Sequence, residues 1–281
     1  MRRYGLFALL LASLGVARLS AADWSPLFNG RDLTGWRAWL GRPPADLDIP
    51  DLPRDTKGKY TEALGYDRDT YNVFSVATID GAPVIRISGR IGGGLTSDKS
   101  YGNYRLRLRY KWGAPPAKGR SNSGIVYHVT GDPTLAQPWG SGHEFQARVG
   151  EAGDYWCQGQ ALADIPARPL REKDYVYDPA APAVTFANQA PIPRHCAKSA
   201  TPESPPNEWT ALELVCYEGQ SAQLVNGQVV LRISRSQRQT PAGPVPMNSG
   251  RLMLQSEGGE VFIRDLEIEP LTKRPAELPV P

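Results

Sequence analysis

The chain has 281 residues, 41% hydrophobic and 22% charged, with 28 glycines, 26 prolines and a formal net charge of +3. So small a net charge excludes the strongly basic surface of a typical nucleic-acid-binding protein, and we expect no nucleic-acid partner. The glycines and prolines separate apolar runs instead of forming a low-complexity tract.

The N-terminal segment has the order of a secretory signal peptide. Arg2 and Arg3 give a positive start, residues 6–16 are apolar, and small residues follow at 20–22. We therefore expect residues 1–22 to be a signal peptide, residues 23–281 to form one domain, and the protein to be secreted or periplasmic. The alternative, a buried N-terminal helix, would make the small-residue site a coincidence. The run is shorter than the roughly 20 residues that cross a bilayer, so we expect no membrane-spanning segment.

Strand-like alternation recurs along the chain, whereas few stretches show helical periodicity. It is clearest in residues 104–112, where aromatic and aliphatic residues alternate with Arg and Lys. One face of such a strand is buried and the other is wet. Strands are predicted at residues 73–76, 84–88, 104–112, 124–129, 144–149, 212–217, 222–225, 229–233, 252–255 and 261–268. About ten strands with tight turns indicate an antiparallel sandwich or barrel.

Turn and loop signals complete this pattern. Asn226-Gly227 lies between two apolar runs and predicts a hairpin, because a type I′ turn needs positive φ at both central positions. Residues 41–68 and 158–206 are rich in proline and show little alternation. We expect two long loop insertions there, and loops of such length in a compact domain are usually functional or disordered.

The three cysteines are an odd number for an oxidising compartment. Cys157 and Cys196 both lie in loop-like sequence, and we expect a disulfide between them. Cys216 lies in a strand-like run, where a small buried thiol is the simpler interpretation. No CxxC spacing indicates a zinc site.

Several short motifs, in order, resemble the 3-keto-disaccharide hydrolase domain family. They comprise LFNGRDLTGW at 27–36, GLTS at 94–97, YGNY at 101–104, NSGI at 122–125, EFQ at 144–146, EW at 208–209, VNG at 225–227, LQSEG at 254–258 and IRDL at 263–266. The resemblance covers residues 26–271. It implies an all-β, two-sheet antiparallel jelly roll of the concanavalin type, a carbohydrate partner and activity on 3-keto-glycosides. The two insertions depart from shorter family members and bear on substrate size.

The predicted strand at 144–149 carries the first site candidates. Glu144, Gln146 and Arg148 share one face of this strand, with apolar residues on the other. In a jelly roll such a polar row can line the concave face, where an extended sugar lies. We expect Glu144 to be catalytic and Gln146 and Arg148 to bind substrate; the alternative is an ordinary solvated outer face.

Histidines are the next candidates. His128 is the polar residue on its strand face, and its near-neutral pKa suits proton transfer, although a lone strand histidine is more often structural. His143, beside Glu144, competes with it, and His195 in the second insertion is the weakest candidate. We place His128 with the catalytic candidates.

Other polar residues are expected at the same groove. Gln255 and Glu257 alternate with apolar residues in the closing strand, although Glu257 precedes two glycines and could instead sit at a turn. Asp154 and Trp156 follow the Glu144 strand, where Trp156 would either stack on a sugar or cover the core. We count Asp154 as catalytic, and Trp156, Gln255, Glu257 and Asn122 of the NSGI motif as substrate-binding.

The resemblance implies a reaction in which a C3 ketone acidifies the C2 proton, a base removes it, the C1 aglycone leaves and water adds to the enone. This chemistry needs a base, an acid and an enolate stabiliser. Glu144 and His128 are candidates for the base, Gln146 and Arg148 for the stabiliser, and Asp154 for the acid. A divalent metal held by Glu144, His128 and Asp154 could replace the stabiliser, although no ligand spacing requires one.

Two alternative functions remain open. A conventional glycosidase needs two carboxylates about 5 to 10 Å apart, and the Glu-x-Asp-x-x-Glu strand typical of concanavalin-like glucanases is missing. A carbohydrate-binding module would use the same polar face and tryptophans to hold sugar without turnover.

Overall fold

The structure is a computed structural model that describes residues 23–171 and 174–278, and within these ranges it contains strands and no helix. The strands are β1 (Ser25–Pro26), β2 (Trp36–Leu40), β3 (Gly65–Tyr66), β4 (Phe74–Ile79), β5 (Ala82–Ile87), β6 (Gly93–Tyr101), β7 (Tyr104–Trp112), β8 (Gly124–Thr130), β9 (Ser141–Gln146), β10 (Tyr155–Gln158), β11 (Ala161–Pro169), β12 (Tyr175–Tyr177), β13 (Ala183–Ala187), β14 (His195–Ala197), β15 (Thr210–Tyr217), β16 (Gln220–Val225), β17 (Gln228–Thr240), β18 (Gly243–Pro246), β19 (Gly250–Ser256) and β20 (Val261–Pro270).

The predicted signal peptide lies outside the described residues, so the division into residues 1–22 and one domain over 23–281 stays a prediction. Over the ranges that the structure describes, no helix is long and apolar enough to cross a bilayer.

Two main sheets pack face to face. In the first sheet the strands run β4, β5, β20, β7, β15, β16 and β17, with β1 also beside β20. In the second they run β3, β2, β6, β19, β8, β9, β10, β14, β12 and β11. The pairings are antiparallel except for β12 with β14. This arrangement confirms the predicted two-sheet jelly-roll sandwich.

A smaller sheet joins the two main ones. It contains β13, β11, the second half of β17 and β18. Because the first half of β17 pairs with β16 in the first sheet and its second half pairs with β11, one strand of 13 residues belongs to both layers.

Strand β7 shows how the alternation builds the core. The side chains of its even-numbered residues, from Tyr104 to Trp112, are at most 5% exposed and pack between the sheets. Its arginines point the other way, where Arg105 pairs with Glu213 and Arg107 with Glu267. The two faces of β7 therefore match the sequence prediction.

Strands occur at or near every predicted position, but three predictions need correction. The stretch 41–68, predicted as a loop, contains the short strand β3 near its end. The strand predicted at 144–149 ends at Gln146, so the side-chain alternation does not extend to Arg148. The stretch 158–206, predicted as a loop, contains β11, β12, β13 and β14. These strands were missed because they are short or contain proline, which a ladder tolerates only at edges, ends and irregular positions.

The hairpin prediction is confirmed. Asn226 and Gly227 join β16 to β17 with φ values of 47° and 78°, the positive values that a type I′ turn requires. Asn226 also ties this turn to the preceding loop, because its side chain accepts from Ala211 N at 2.9 Å and donates to Pro202 O at 2.7 Å.

The predicted disulfide is wrong, because Cys157, Cys196 and Cys216 are all free thiols. Strands β10 and β14 pair so that Tyr155 lies opposite Cys196, which puts Cys157 in the diagonal position. Diagonal α-carbons are about 7–8 Å apart, whereas a disulfide usually spans about 4.4–6.8 Å. The Cys157 thiol instead donates to Ala161 O at 2.8 Å.

Candidate functional site

The candidate site lies on the face of the second sheet that points away from the core. Glu144 on β9 lies opposite Val126 on β8 and opposite Trp156 on β10. Since neighbouring strands keep side chains of opposed residues on one face, these three side chains form a row across the sheet. Gln255 on β19 and Gln146 on β9 belong to the next row, so the sheet brings together Glu144, Gln146 and Gln255 as predicted.

Glu144 is the most buried carboxyl of this site, at 2% exposure. The side-chain amide of Gln158, from the neighbouring β10, donates to its Oε2. Burial, followed by the charge of Glu257, raises the pKa of Glu144 to about 8. The Glu144 carboxyl is thus mostly protonated at neutral pH, while a carboxylate in water would be ionised.

Glu257 follows the end of β19 and is exposed, yet protein surrounds it on enough sides that burial raises its pKa to about 7. Arg148 and Arg194 oppose this rise through their positive charges. The charge of Glu257 raises the pKa of Glu144, so the two carboxyls are close enough to titrate as a coupled pair. The apparent pKa values therefore belong to the pair, and both carboxyls titrate near neutral pH.

Gln255 is fully buried, and neither its Oε1 nor its Nε2 has a hydrogen-bond partner. The amide lowers the pKa of Glu144 slightly, so it lies close to that carboxyl without meeting the geometry of a hydrogen bond to it. Buried amides normally have partners, so the Gln255 amide has hydrogen-bonding capacity that a bound ligand could use.

Two arginines lie at the carboxyl pair, and the sequence analysis identified one of them. Arg148, in the loop after β9, forms an ion pair with Glu151 at 3.4 Å and has a buried Nε without a hydrogen bond. Arg194, just before β14, places its guanidinium 5.0 Å from the ring centre of Trp156 and lowers the pKa of Glu144 and of Glu257.

Asp154 holds His195 and Lys198 beside the site. Its carboxylate accepts from His195 Nε2 at 3.0 Å and from Lys198 Nζ at 3.1 Å. Although burial acts in the opposite direction, the hydrogen bond from His195 and the charge of Lys198 leave the pKa of Asp154 below its usual value. An ionised Asp154 does not suit the role of general acid that the sequence analysis gave it. It instead positions His195, whose ring lies 4.3 Å from that of Trp156.

Gln146 and Asn122 support the backbone around the site. The Gln146 Oε1 accepts from Ala147 N at 3.1 Å and from Arg148 N at 3.2 Å, at the point where β9 ends. Asn122 N donates to Gly258 O at 2.7 Å, which places Asn122 next to Glu257, and its Oδ1 is buried without a partner.

His128 and His143 lie on the core side of the same sheet. An irregularity in β8 after Tyr127, with His128 at a φ of 54°, turns His128 toward Tyr104, and its Nδ1 lies 3.2 Å from Met247 O. Burial lowers its pKa to about 4. His143 bonds Tyr155 and Ser236 at 2.8 and 2.7 Å, and burial lowers its pKa to about 3. The structure does not bring either histidine to Glu144.

The metal set considered from the sequence does not converge. His128 lies on the core side, and Asp154 is engaged by His195 and Lys198. In the part of the chain that the structure describes, no three His, Cys, Asp or Glu side chains form a group that could hold a metal ion. These residues do not fit a divalent metal.

Sequence reasoning missed Gln158 and Arg194. Gln158 had a usable signal, since Trp156 and Gln158 share a parity that faces Glu144 once β9 and β10 pair. No sequence signal indicated Arg194, because this residue belongs to the proline-rich insertion and reaches the site only through the pairing of β14 with β10.

Comparisons with known proteins agree with this fold. No curated protein matches the chain. Among solved structures, it is similar to a candidate glycosyl hydrolase from Parabacteroides distasonis ATCC 8503 at 19% identity, over 88% of this chain and 94% of that one, with a TM-score of 0.50. A second candidate glycosyl hydrolase from that organism is similar at 16% identity, over 89% and 100%, with a TM-score of 0.47. The family model for the 3-keto-alpha-glucoside-1,2-lyase-like domain matches residues 23–269, and the chain belongs to this family.

Proposed function

We propose that this protein cleaves 3-keto-glycosides by removing the C2 proton and eliminating the C1 aglycone, with hydration of the product completing a net hydrolysis. Family membership supports a carbohydrate-active function and a glycoside-acting enzyme. The observation that carries the specific reaction is the pair Glu144 and Glu257, whose pKa values burial raises to about 8 and about 7, so that both carboxyls can exchange protons near neutral pH. Such a pair supplies an acid and a base together.

In the first step Glu257 removes the C2 proton. Its carboxylate is the exposed member of the pair, and a pKa of about 7 makes it a stronger base than an ordinary glutamate. The electrons of the C2–H bond become an enolate whose negative charge lies on the C3 oxygen. Arg194 and Arg148 supply positive charge, and the unpartnered Gln255 amide supplies a donor for that oxygen.

In the second step the enolate re-forms the ketone, a C1=C2 double bond forms and the C1–O bond breaks. Glu144 donates its proton to the departing oxygen, so the aglycone leaves as a neutral alcohol. Water then adds: Glu144 takes a proton from the water that attacks C1, and Glu257 returns its proton to C2. Both carboxyls end the cycle as they began, and one water has been consumed.

This assignment changes the roles expected from the sequence. Glu144 was a candidate base and becomes the acid, because burial and the neighbouring charge of Glu257 favour its protonated form. Glu257 was expected to bind substrate and becomes the base. His128 and Asp154 take no part in the reaction.

The test uses a 3-keto-glucoside and the matching unoxidised glucoside, incubated with the purified protein, while release of the aglycone is measured. We expect release from the oxidised substrate alone, and a loss of at least about a hundredfold in kcat for Glu257→Gln and Glu144→Gln. Glu208→Gln changes an exposed glutamate outside the site and serves as the matched control.

The same assay separates the other functions. Release from the unoxidised glucoside would indicate a conventional glycosidase, and binding of both compounds without release would indicate a carbohydrate-binding module. We further propose that the protein is exported, on the evidence of the pattern in residues 1–22. Mass analysis of the mature chain from its native host would show a start near residue 23 if this is right and residue 1 if it is not.

A further inference from the structure

The second insertion builds a cavity beside the candidate site. The cavity has a volume of about 460 Å³, within the range of small-molecule pockets. Its wall includes the rings of Trp156 and Tyr175 and the apolar run Pro191, Ile192 and Pro193. Ile192 is 38% exposed there, so its side chain is accessible to a ligand.

The walls of this cavity are fixed by the fold. Ala187 N donates to Pro193 O at 2.9 Å and Ile192 N to Gln189 O at 3.0 Å, which closes the loop on itself. Tyr175 is held edge-to-face against Phe186, with ring centres 5.6 Å apart. A cavity with such walls needs little ordering when a ligand enters, so binding costs little conformational entropy.

Two residues connect the cavity to the carboxyl pair. Trp156 lines the cavity and lies opposite Glu144 in the β9–β10 pairing. Arg194 lines the cavity as well, and its charge acts on both Glu144 and Glu257. A glycoside with its sugar at the carboxyl pair would therefore extend its C1 substituent toward this cavity.

We propose that this cavity, the leaving-group pocket, binds an apolar, ring-containing aglycone, so that the preferred substrates are glycosides of aryl or arylalkyl alcohols. The inference rests on the proposed function. Pro191, Ile192 and Pro193 offer no side-chain hydrogen-bond partner to the hydroxyl groups of a second sugar, and a hydroxyl that loses water against this part of the wall without gaining a partner is costly. A hydrocarbon ring covers the same surface favourably. The wall also has polar side chains that suit a hydroxyl on the ring, and these belong to Asp174, Asn188, Gln189, Arg194 and His195.

The test compares 3-keto-glucosides of methanol, 2-phenylethanol and glucose that share one anomeric configuration. Methanol and 2-phenylethanol have similar acidity, so a difference between their glycosides reports binding and not leaving-group chemistry. We expect kcat/KM for the 2-phenylethyl compound to exceed that for the methyl compound by at least about tenfold. The glucose compound should not exceed the methyl compound by more than about threefold. Equal values for the methyl and 2-phenylethyl compounds, or a clear preference for glucose, would overturn the proposal.

Ile192→Ser and Leu135→Ser form a matched pair of variants. Both side chains are exposed, at 38% and 43%, so both variants should fold, and Leu135 lines a different cavity with Trp39 and Trp139. We expect Ile192→Ser to lower the preference for the 2-phenylethyl compound by at least about threefold. Leu135→Ser should leave that preference unchanged. The opposite pattern would assign the aglycone to the other cavity and overturn the proposal.

Calorimetry with the unoxidised methyl and 2-phenylethyl glucosides separates this proposal from the proposed function. Suppose that the 2-phenylethyl compound binds more tightly, that Ile192→Ser weakens this binding, and that no keto-glycoside is turned over. This result would support the leaving-group pocket and contradict the proposed elimination reaction. Turnover of all three keto-glycosides with equal kcat/KM would support the proposed reaction and contradict the leaving-group pocket.

Discussion

The side-chain amide of Gln255 occupies the space above the α-carbon of Gly124, where a β-carbon would collide with its Oε1. The amide of a fully buried glutamine can therefore stand beside Glu144 only because the facing strand carries no side chain at that position. The glycine of the NSGI motif thus has a steric role in the site.

Gly124→Ala should displace the Gln255 amide and lower kcat/KM by at least about tenfold, the cost of losing one aligned donor at a developing charge. The nearest group is the end of a flexible side chain, but the added methyl would also lie 3.1 Å from Phe145 O and 3.3 Å from Glu144 Cγ, so some loss of stability should accompany the loss of activity. Gly92→Ala is the control, since its β-carbon would meet nothing nearer than Ser256 O at 3.7 Å. Equal losses of activity in the two variants would contradict the role of Gly124.

The pH dependence of kcat/KM should be a narrow bell. Activity needs Glu257 ionised, so it rises as pH passes about 7, and it needs Glu144 protonated, so it falls as pH passes about 8. These apparent values belong to the pair, because the two carboxyls interact. Initial rates measured at low substrate concentration between about pH 5 and 10 would reveal the two limbs, and a flat profile would contradict the assignment.

Glu144→Gln should stabilise the protein increasingly as pH rises. Folding raises the pKa of Glu144 from 4.5 to about 8, so between these pH values the folded state binds more protons than the unfolded state. The free energy of unfolding of the parent protein therefore falls across this window, and glutamine removes that contribution. The free energy of unfolding of the variant minus that of the parent protein, measured by urea unfolding, should be larger at about pH 8 than at about pH 5 by at least about 1 kcal/mol.

The control for this measurement is Glu208→Gln, which changes an exposed glutamate by the same chemistry. The difference in the free energy of unfolding between this variant and the parent protein should be the same at both pH values. If Glu144→Gln behaved in the same way, the carboxyl of Glu144 would not be held protonated by the fold.

The three cysteines should be present as slow-reacting free thiols. Burial raises the pKa of Cys157 to about 11 and of Cys216 to about 12, and it also raises the pKa of Cys196. A thiol reacts as its thiolate, so a chromogenic disulfide reagent should modify the folded protein slowly at neutral pH. In denaturant without reductant three thiols per chain should react, whereas a single reactive thiol would indicate the bridge that the structure lacks.

The sequence predicted the sandwich because the signals that specify its strands are local. Alternation in 104–112 and the Asn226-Gly227 turn depend on residues that are neighbours in the chain, and both predictions are confirmed. The position of Glu144 beside Gln255 was also accessible, because counting parity along a regular strand places side chains on the correct face.

Parity counting fails where a strand is irregular or ends. His128 follows an irregularity in β8 and turns to the core, and Arg148 lies beyond the end of β9. Gln158 shares its parity with Trp156, but its contact with Glu144 depends on the pairing of β10 with β9. Arg194 reaches the site through the pairing of β14 with β10, which no local pattern in the proline-rich stretch indicates. The interaction of Glu144 with Glu257, which raises the pKa of Glu144, likewise exists only after the chain has folded.

The passage of β17 from one layer to the other limits how this scaffold can be trimmed. Excision of the second insertion would remove β11, the partner of the later half of β17, and would expose a row of backbone donors and acceptors on a strand that also borders the first sheet. The same cut would take Arg194 and the β14 edge that supports Trp156. A minimal catalytic version of this chain is therefore better sought by shortening individual turns within the insertion than by deleting it.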